Sequence, residues 1–244
     1  MFDHRIPTSS KPPYALIAAA FIIALACLFA FGRMRGEKGV EKLAIQNAQV
    51  SARLATPAVT PSKPARHDEP ISQLAILVFK SEKRMEVWAQ RSQTWKQLRD
   101  YPVLAASGTA GPKLVEGDRQ VPEGIYRISE MNPESRFHRS IKLDYPNAFD
   151  RKMAGSDGRI KLGGDICIHG KNCSIGCVAI GDPAIEDLYA LVESIGAKKT
   201  TVIIAPNDLR SQIAVKNPKL KLPWLPDLYA TLSRELKPFE KAVR

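Results

Sequence analysis

Residues Ile166–Gly181 read ICIHGKNCSIGCVAIG, in which two short apolar runs flank a loop of small and polar residues. Both runs have the composition of strands, with turn residues at their inner ends. If the strands are neighbours, His169 at the end of the first and Cys177 at the start of the second share one sheet edge. Because the thiolate is the reactive form of cysteine, and a nearby imidazole can take its proton, we expect a cysteine nucleophile and a histidine base.

Gly176 and Ser174, which precede Cys177, would support this site. Gly176 lets the backbone turn sharply, and the amides around it would face the oxyanion of a tetrahedral intermediate. Ser174 is expected to shape the loop by local hydrogen bonding. The plainer alternatives are that Cys177 is a small buried apolar residue and that His169 only hydrogen-bonds a backbone carbonyl.

The motif resembles the catalytic domain of the L,D-transpeptidase (YkuD-type) family. That family has a histidine-glycine pair, a variable spacer and a serine-x-glycine-cysteine segment, which correspond here to His169-Gly170 and Ser174-Ile175-Gly176-Cys177. Similar segments upstream are Gly111–Asp118, Gln120–Tyr126, Phe137-His138 and Tyr145-Pro146-Asn147. The resemblance therefore spans about Ile71 to Pro206.

The chain departs from most of the family at two positions. Ile175 stands where a second histidine is usual, and Ala179 stands where an arginine or asparagine is usual. Both departures, together with the short spacer, resemble the YafK-like branch. That branch includes amidases, so the resemblance leaves both a transferase and a hydrolase open.

The resemblance implies a mostly β catalytic domain, a sandwich-like sheet assembly with one main helix. It implies acyl transfer without a cofactor or metal on peptidoglycan stem peptides, with Cys177 as nucleophile, His169 as proton donor and acceptor, and the Gly170 carbonyl orienting the imidazole. The alternative is a YafK-like amidase that cleaves peptidoglycan-peptide or peptidoglycan-lipoprotein links by the same thioester chemistry. A non-catalytic wall-binding module is a third hypothesis, against which Cys177 argues.

A polar stretch between the predicted strands, residues 130–157, is too long for an idle connection and is interpreted as the wall of a binding groove. His138, Arg139 and Tyr145 would line it and meet carboxylates of the stem peptide, unless the stretch is an ordinary solvated loop. Lys113, Glu116 and Asp118 are expected to form surface ion pairs of little energetic value.

The chain is basic, with a net charge of +11 and a pI near 9.6, and this charge bears on which molecules it could bind. No zinc-finger, helix-turn-helix or RNA-stacking signature accompanies the dispersed basic residues, so a nucleic acid is not expected. An acidic wall polymer, a membrane surface or simple solubility would explain the charge.

The four cysteines are Cys27, Cys167, Cys173 and Cys177. The last three lie close to His169, which raises a zinc site as an alternative, but a second distant ligand pair is missing from the sequence. In an oxidising compartment Cys167 and Cys173 would form a disulfide; otherwise they are two buried free thiols.

The N-terminal part predicts a membrane tether. Residues 1–13 form a polar head assigned to the cytoplasm, residues 14–31 are apolar and long enough to span a bilayer, and residues 32–70 are interpreted as a flexible linker. Counting basic residues around the segment favours a cytoplasmic catalytic domain. The resemblance implies the opposite, a single-pass protein of the inner membrane with its catalytic domain in the periplasm.

Residues 71–207 are assigned to the catalytic domain. Strands are predicted over 74–80, 84–89, 101–107, 123–129 and 200–206, with a hairpin turn at 81–83. Asp182 and Pro183 would start a helix that ends near Ser194. Residues 208–244 form a basic tail of unassigned role, with a helix over 228–243 and Trp224 docking on the domain as hypotheses.

Overall fold

The computed structural model describes residues 69–240, which form a mostly β structure with three α-helices. The strands are β1 (Gln73–Phe79), β2 (Arg84–Arg91), β3 (Thr94–Pro102), β4 (Ala105–Ala106), β5 (Gly124–Ser135), β6 (His138–Leu143), β7 (Cys167–His169), β8 (Val178–Ala179) and β9 (Thr200–Ala205). The helices are α1 (Ala148–Ser156), α2 (Asp182–Ile195) and α3 (Leu225–Leu236), with 3-10 turns at Ala197–Lys199 and Lys237–Phe239.

The predicted head, the predicted membrane anchor and all but the end of the predicted linker lie outside the described residues. Within residues 69–240, no helix combines the length and apolar character needed to cross a bilayer.

The nine described strands form one hydrogen-bonded ladder in the order β3-β2-β1-β9-β5-β6-β7-β8-β4. Strand β5 joins its two halves, because its first residues pair with β9 and its later residues pair with β6. The register between β5 and β6 shifts between Ile128 and Glu130, where the pairing passes from one half to the other. Side chains of both halves share one core with α2, so the sandwich-like assembly is built from a continuous ladder rather than separate sheets.

Strand β1 is buried on both faces, which explains its uninterrupted apolar sequence. Leu74, Ile76 and Val78 face the core shared with α2. Leu77 and Phe79 face a second core on the other side of the sheet. The hairpin that links β1 to β2 turns at residues 80–83, as predicted.

Helix α2 confirms the predicted helix almost to the residue. Its apolar stripe, predicted to pack in the core, is fully buried and consists of Ile185, Leu188, Tyr189 and Val192. Helix α2 is the longest of the three described helices; α1 is additional, and α3 overlaps the helix hypothesised for residues 228–243 but runs over Leu225–Leu236.

The predicted strand over 101–107 is placed too late in the chain. The long strand is β3, Thr94–Pro102, and only Ala105–Ala106 continue as β4. Strand β3 is an edge strand with mostly half-exposed side chains, so its residues TWKQLRD lack the apolar alternation of a strand packed on a core. Residues 130–157, interpreted from sequence as a groove wall, contain the β5–β6 hairpin and α1.

The part of the chain after residue 207 has a clear structural role. Helix α3 buries Leu228, Tyr229, Leu232 and Leu236 against the second face of the sheet. Trp224 docks as hypothesised, with its indole N–H donating to Asp157 Oδ2 at 2.9 Å. The described segment up to residue 240 therefore completes the fold by covering β1 and β9 from the side opposite α2.

A buried polar cluster joins α3 to the loop that follows β4. Glu123 Oε2 accepts a hydrogen bond from Tyr229 at 2.8 Å, and its Oε1 accepts one from the Lys80 ammonium at 3.0 Å. Lys80 also donates to the carbonyls of Gly111 and Val121. Burial is the main cause that lowers the pKa of Lys80, while the Glu123 carboxylate opposes it. The polar groups satisfy one another at the point where the loop meets the sheet.

We expect Leu232→Ala to lower the free energy of unfolding by about 2–5 kcal/mol, because it leaves a cavity in the second core. Chemical denaturation of the full chain measures the effect. Glu235→Ala, on the exposed side of the same helix, is the matched control and should change stability by less than about 0.5 kcal/mol. Equal effects of the two substitutions would mean that α3 does not stabilise the domain.

Candidate active site

The two runs that open the sequence analysis are neighbouring parallel strands, as predicted. Ile168 on β7 pairs with Val178 on β8, and His169 pairs with Ala179. Continued by one residue toward the N-terminus, this register sets Cys167 opposite Cys177. Since side chains alternate between the two faces of a strand, Cys167, His169 and Cys177 share one face, while Ile168 and Val178 point into the core.

His169 is held in one orientation at the end of β7. Its side chain is buried, with 2% of the residue exposed, and its ring packs against Phe137 at 4.6 Å between centroids. Nδ1 lies 2.6 Å from the carbonyl oxygen of Gly170. Because a carbonyl can only accept a hydrogen bond, Nδ1 carries the proton, and Nε2 is the basic nitrogen of the neutral ring.

The Cys177 thiol lies among hydrogen-bonding groups of β7 and of the segment that precedes β7. The backbone amide of Cys167 donates to Sγ of Cys177 at 3.4 Å, and Sγ lies 3.4 Å from the carbonyl oxygen of Asp165. The neighbouring Cys167 thiol is the main cause that lowers the pKa of Cys177; burial opposes it, and the His169 ring and the backbone amide of Cys167 add to it. The site therefore favours a Cys177 thiolate beside an imidazole.

Gly170 occupies a position where a side chain would not fit. A Cβ there would lie 2.5 Å from Oδ1 of Asp182 and 2.7 Å from the carbonyl oxygen of Phe137. Asp182 and Pro183 are the first residues of α2, as predicted, and Gly181 is the N-cap residue. The Asp182 carboxylate accepts a hydrogen bond from the amide of Lys171 at 2.7 Å, which fixes the chain directly after His169.

Ser174 organises the loop between the two strands. Its hydroxyl donates to the carbonyl oxygen of Cys177 at 2.7 Å and accepts from the amides of Gly176 and Ser107, each at 3.2 Å. Gly176 has a φ of 130°, so the turn before Cys177 requires a backbone conformation that favours glycine. The amide of Gly176 is used within the loop, which argues against it as an oxyanion donor.

Two residues assigned to substrate binding from sequence lie elsewhere. Tyr145 is buried, with 4% exposed, and its hydroxyl faces the carbonyl oxygens of Lys113 and Leu162. Arg139 follows the face of β6 that packs on α2, where its guanidinium lies 4.9 Å from the ring centroid of Tyr189. Neither side chain lines the face that carries Cys177, because burial and strand alternation decide their directions.

His138 lies nearer the site, and its side chain is partly exposed. Its Nε2 contacts Oε1 of Glu186 on α2 at 2.6 Å. A Cβ placed on Gly170 would lie 3.1 Å from Cβ of His138, so the residue adjoins the end of β7. It therefore stays a candidate for substrate contact, with its ring already engaged by a carboxylate.

Sequence reasoning missed Lys142 and the position of Cys167. Lys142 on β6 pairs with Cys167 on β7, which places its side chain on the same face as the thiols. Its ammonium binds Oδ1 of Asp165 at 2.5 Å. The sequence carries no signal for this contact, because Lys142 and Cys167 are 25 positions apart and only the strand register brings them together.

The loop after β4 is held more firmly than the sequence suggested. Lys113 and Asp118 form an ion pair of 2.6 Å between largely buried side chains, and Asp118 also accepts from the amides of Leu114 and Gln120. The pair was expected at the surface, where it would contribute little. Buried and hydrogen-bonded to the backbone, it fixes the loop whose Gln120 carbonyl lies near Gly176.

The described cysteines Cys167, Cys173 and Cys177 are all free thiols. Within residues 69–240, no group of three histidine, cysteine or acidic side chains is arranged to hold a metal ion.

We expect Cys177 to be alkylated by iodoacetamide with a pH midpoint below the ordinary thiol value of about 8.5, because a lowered pKa leaves the thiolate populated at lower pH. Cys167→Ala removes the thiol that contributes most to the lowered pKa and should move the midpoint upward, whereas Cys167→Ser should restore part of the shift. Site-resolved mass spectrometry measures the rates.

Cys173→Ala is the matched control, since Cys173 is exposed on the loop, and it should leave the Cys177 midpoint in place. The same Cys177 midpoint in the wild type and in Cys167→Ala would contradict the role given to the Cys167 thiol.

Known proteins include relatives of this chain. The chain is 32% identical over 123 residues to YafK of Escherichia coli strain K12, which carries a provisional L,D-transpeptidase name. The match covers 50% of this chain and 48% of that protein, so the chain spans about half the length of the curated relatives it matches.

Solved structures give weaker likenesses. The helical cell shape determining protein Pgp2 of Campylobacter jejuni is 24% identical, with a TM-score of 0.47, over 61% of this chain and 54% of that one. Bd1075 of Bdellovibrio bacteriovorus is 21% identical, with a TM-score of 0.41, over 69% and 56% of the two chains.

The model of the YkuD family, described as an L,D-transpeptidase catalytic domain, matches residues 73–204, which is more than half of the 244-residue chain. That range begins with β1, ends within β9 and contains His169 on β7 and Cys177 directly before β8. The chain therefore belongs to the YkuD family of L,D-transpeptidase catalytic domains.

Proposed function

We propose that this protein transfers acyl groups of peptidoglycan stem peptides through a thioester on Cys177. The observation that carries the proposal is the placement of Cys177 and His169 on one face of β7 and β8, with the proton of His169 fixed on Nδ1. Membership of the family supports the chemistry and the class of substrate.

The first half of the proposed reaction forms the thioester. The Cys177 thiolate attacks the carbonyl carbon of the peptide bond between an L-centre and a D-residue of the stem. The tetrahedral intermediate collapses as the bond to the amine breaks, and His169, protonated at Nε2, gives its proton to the leaving amine. The acyl group of the stem is then held on Sγ of Cys177.

The second half releases the acyl group. An acceptor amine, or water, loses a proton to Nε2 of His169 as it attacks the thioester carbonyl, and the Cys177 thiolate leaves. The hydrogen bond from Nδ1 to the Gly170 carbonyl keeps the ring in place during both proton transfers. The packing of Phe137 against the ring serves the same purpose.

Hydrolysis is the second candidate, in which water is the acceptor and a peptidoglycan-peptide or peptidoglycan-lipoprotein link is cut. The observation that favours it is Ile175, two residues before Cys177 and 80% exposed, where most of the family carries a histidine. Ile175 thus exposes an apolar side chain near Cys177 where a histidine could bind a donor or acceptor, and the buried Ala179 likewise replaces a polar residue. Both candidates place the reaction outside the cytoplasmic membrane.

Product analysis separates the two candidates. Isolated peptidoglycan incubated with the full chain should give new stem-to-stem or stem-to-amine amides if the protein is a transpeptidase, and shortened or released stems if it is a hydrolase. Cys177→Ala should reduce either product to the uncatalysed background, because no nucleophile remains. Cys173→Ala is the control. Turnover by a folded Cys177→Ala variant would reject the thioester mechanism.

His169→Gln should slow acylation of Cys177 by a stem-peptide mimic by roughly 10²–10⁴-fold, the range typical of general acid–base loss. His138→Gln is the matched comparison, and it should mainly weaken binding of the mimic, because His138 contacts Glu186 rather than the thiol. Single-turnover mass spectrometry measures the acyl-protein. A block in His138→Gln with normal acylation in His169→Gln would mean that the base is His138.

A further inference from the structure

Cys167 is the first residue of β7, and Cys177 directly precedes β8, the neighbouring strand. The register that pairs Ile168 with Val178 places the two cysteines one step back, on one face. Neighbouring strands lie about 4.8 Å apart, and disulfides form between Cα atoms about 4.4–6.8 Å apart. The spacing of paired strands thus falls within the range of Cα separations that disulfides span.

The contacts of the two thiols agree with this spacing. The Cys167 amide donates to Sγ of Cys177 at 3.4 Å. The Asp165 carbonyl oxygen lies 3.4 Å from Sγ of Cys177 and 3.8 Å from Sγ of Cys167. Both sulfur atoms thus converge on one oxygen, and neither is bonded to another cysteine.

The thiols differ in the way that a reactive and a resolving cysteine differ. The neighbouring Cys167 thiol and the backbone amide of Cys167, which donates to Sγ of Cys177, lower the pKa of Cys177, whereas the nearby Cys177 sulfur and burial raise the pKa of Cys167. Cys177 is thus the thiolate that an oxidant would attack first, and Cys167 keeps its proton until Cys177 has reacted.

We propose that Cys167 is a resolving cysteine, which forms an intramolecular disulfide with Cys177 after a hydroperoxide has oxidised Cys177. The inference rests on the proposed function only in taking Cys177 as the reactive thiol. It gives Cys167 a role that peptide acyl transfer does not require, the protection of the nucleophile against irreversible oxidation.

The proposed oxidation of Cys177 and its resolution by Cys167 take two steps. The Cys177 thiolate attacks one oxygen of the hydroperoxide, the O–O bond breaks, and Cys177 becomes a sulfenic acid while hydroxide or alkoxide leaves. Sγ of Cys167 then attacks Sγ of Cys177, the S–O bond breaks, and the proton of Cys167 leaves with the hydroxyl group as water. A dithiol reductant then reduces the disulfide and regenerates both thiols.

Cys173 is the competing partner, because it is exposed and lies in the loop between the two strands. Trypsin separates the possibilities, since cleavage after Lys171 puts Cys167 in one peptide and both Cys173 and Cys177 in the next. In a Cys173→Ser variant, Cys177 is the sole cysteine of that second peptide.

The experiment treats the reduced full chain with hydrogen peroxide, blocks remaining thiols and maps the tryptic peptides without reduction. We expect a peptide linked through Cys167 and Cys177, formed equally in the wild type and in Cys173→Ser, and reversed by dithiothreitol. In Cys167→Ser, Cys177 should proceed to the sulfinic acid, which dithiothreitol does not reverse.

A Cys167–Cys173 link as the main product, loss of the link in Cys173→Ser, or equal sulfinic acid in the wild type and in Cys167→Ser would each overturn the inference. The mapping needs no substrate, so its outcome is separate from that of the acylation assay on the reduced protein. A protein that forms the link but does not acylate keeps the resolving cysteine and loses the proposed function.

Discussion

The parallel register of β7 and β8 is the constraint on which the candidate site depends. It places Ile168 and Val178 in the core and, on the other face, Cys167, His169 and Cys177. The apolar residues hold the strands in register, since a slip of one position would bury the polar face and expose the apolar one. The same packing that stabilises the sheet therefore positions the imidazole beside the thiol.

Around this register, the site is fixed by backbone hydrogen bonds more than by side-chain pairs. The Gly170 carbonyl holds the His169 ring, the Cys167 amide meets the Cys177 sulfur, and the Ser174 hydroxyl ties the loop to the Cys177 carbonyl. Backbone groups cannot change rotamer, so they restrict the two reactive side chains at little entropic cost. A site preorganised in this way does not need an acidic third residue to orient the histidine.

The rest of the fold supports the two strands from a distance. Helix α2 covers one face of the sheet and supplies Asp182, which holds the chain after His169. Helix α3 covers the other face and, through Tyr229 and Glu123, anchors the loop that leads to Gln120 beside Gly176. The C-terminal part of the described chain is thus connected to the site by packing and by a buried polar cluster. It lies outside the range that the family model matches.

The sequence by itself determined the two strands of the motif, the helix after them, the mostly β class and the family, because apolar runs, turn residues and local motifs are properties of short segments. Only the tertiary structure decided which side chains share a face. It placed Lys142 beside Cys167, opposed Cys167 to Cys177 rather than to Cys173, and buried Tyr145. It also assigned the C-terminal segment to a second core. These facts depend on strand register and on contacts between distant segments, which local patterns do not encode.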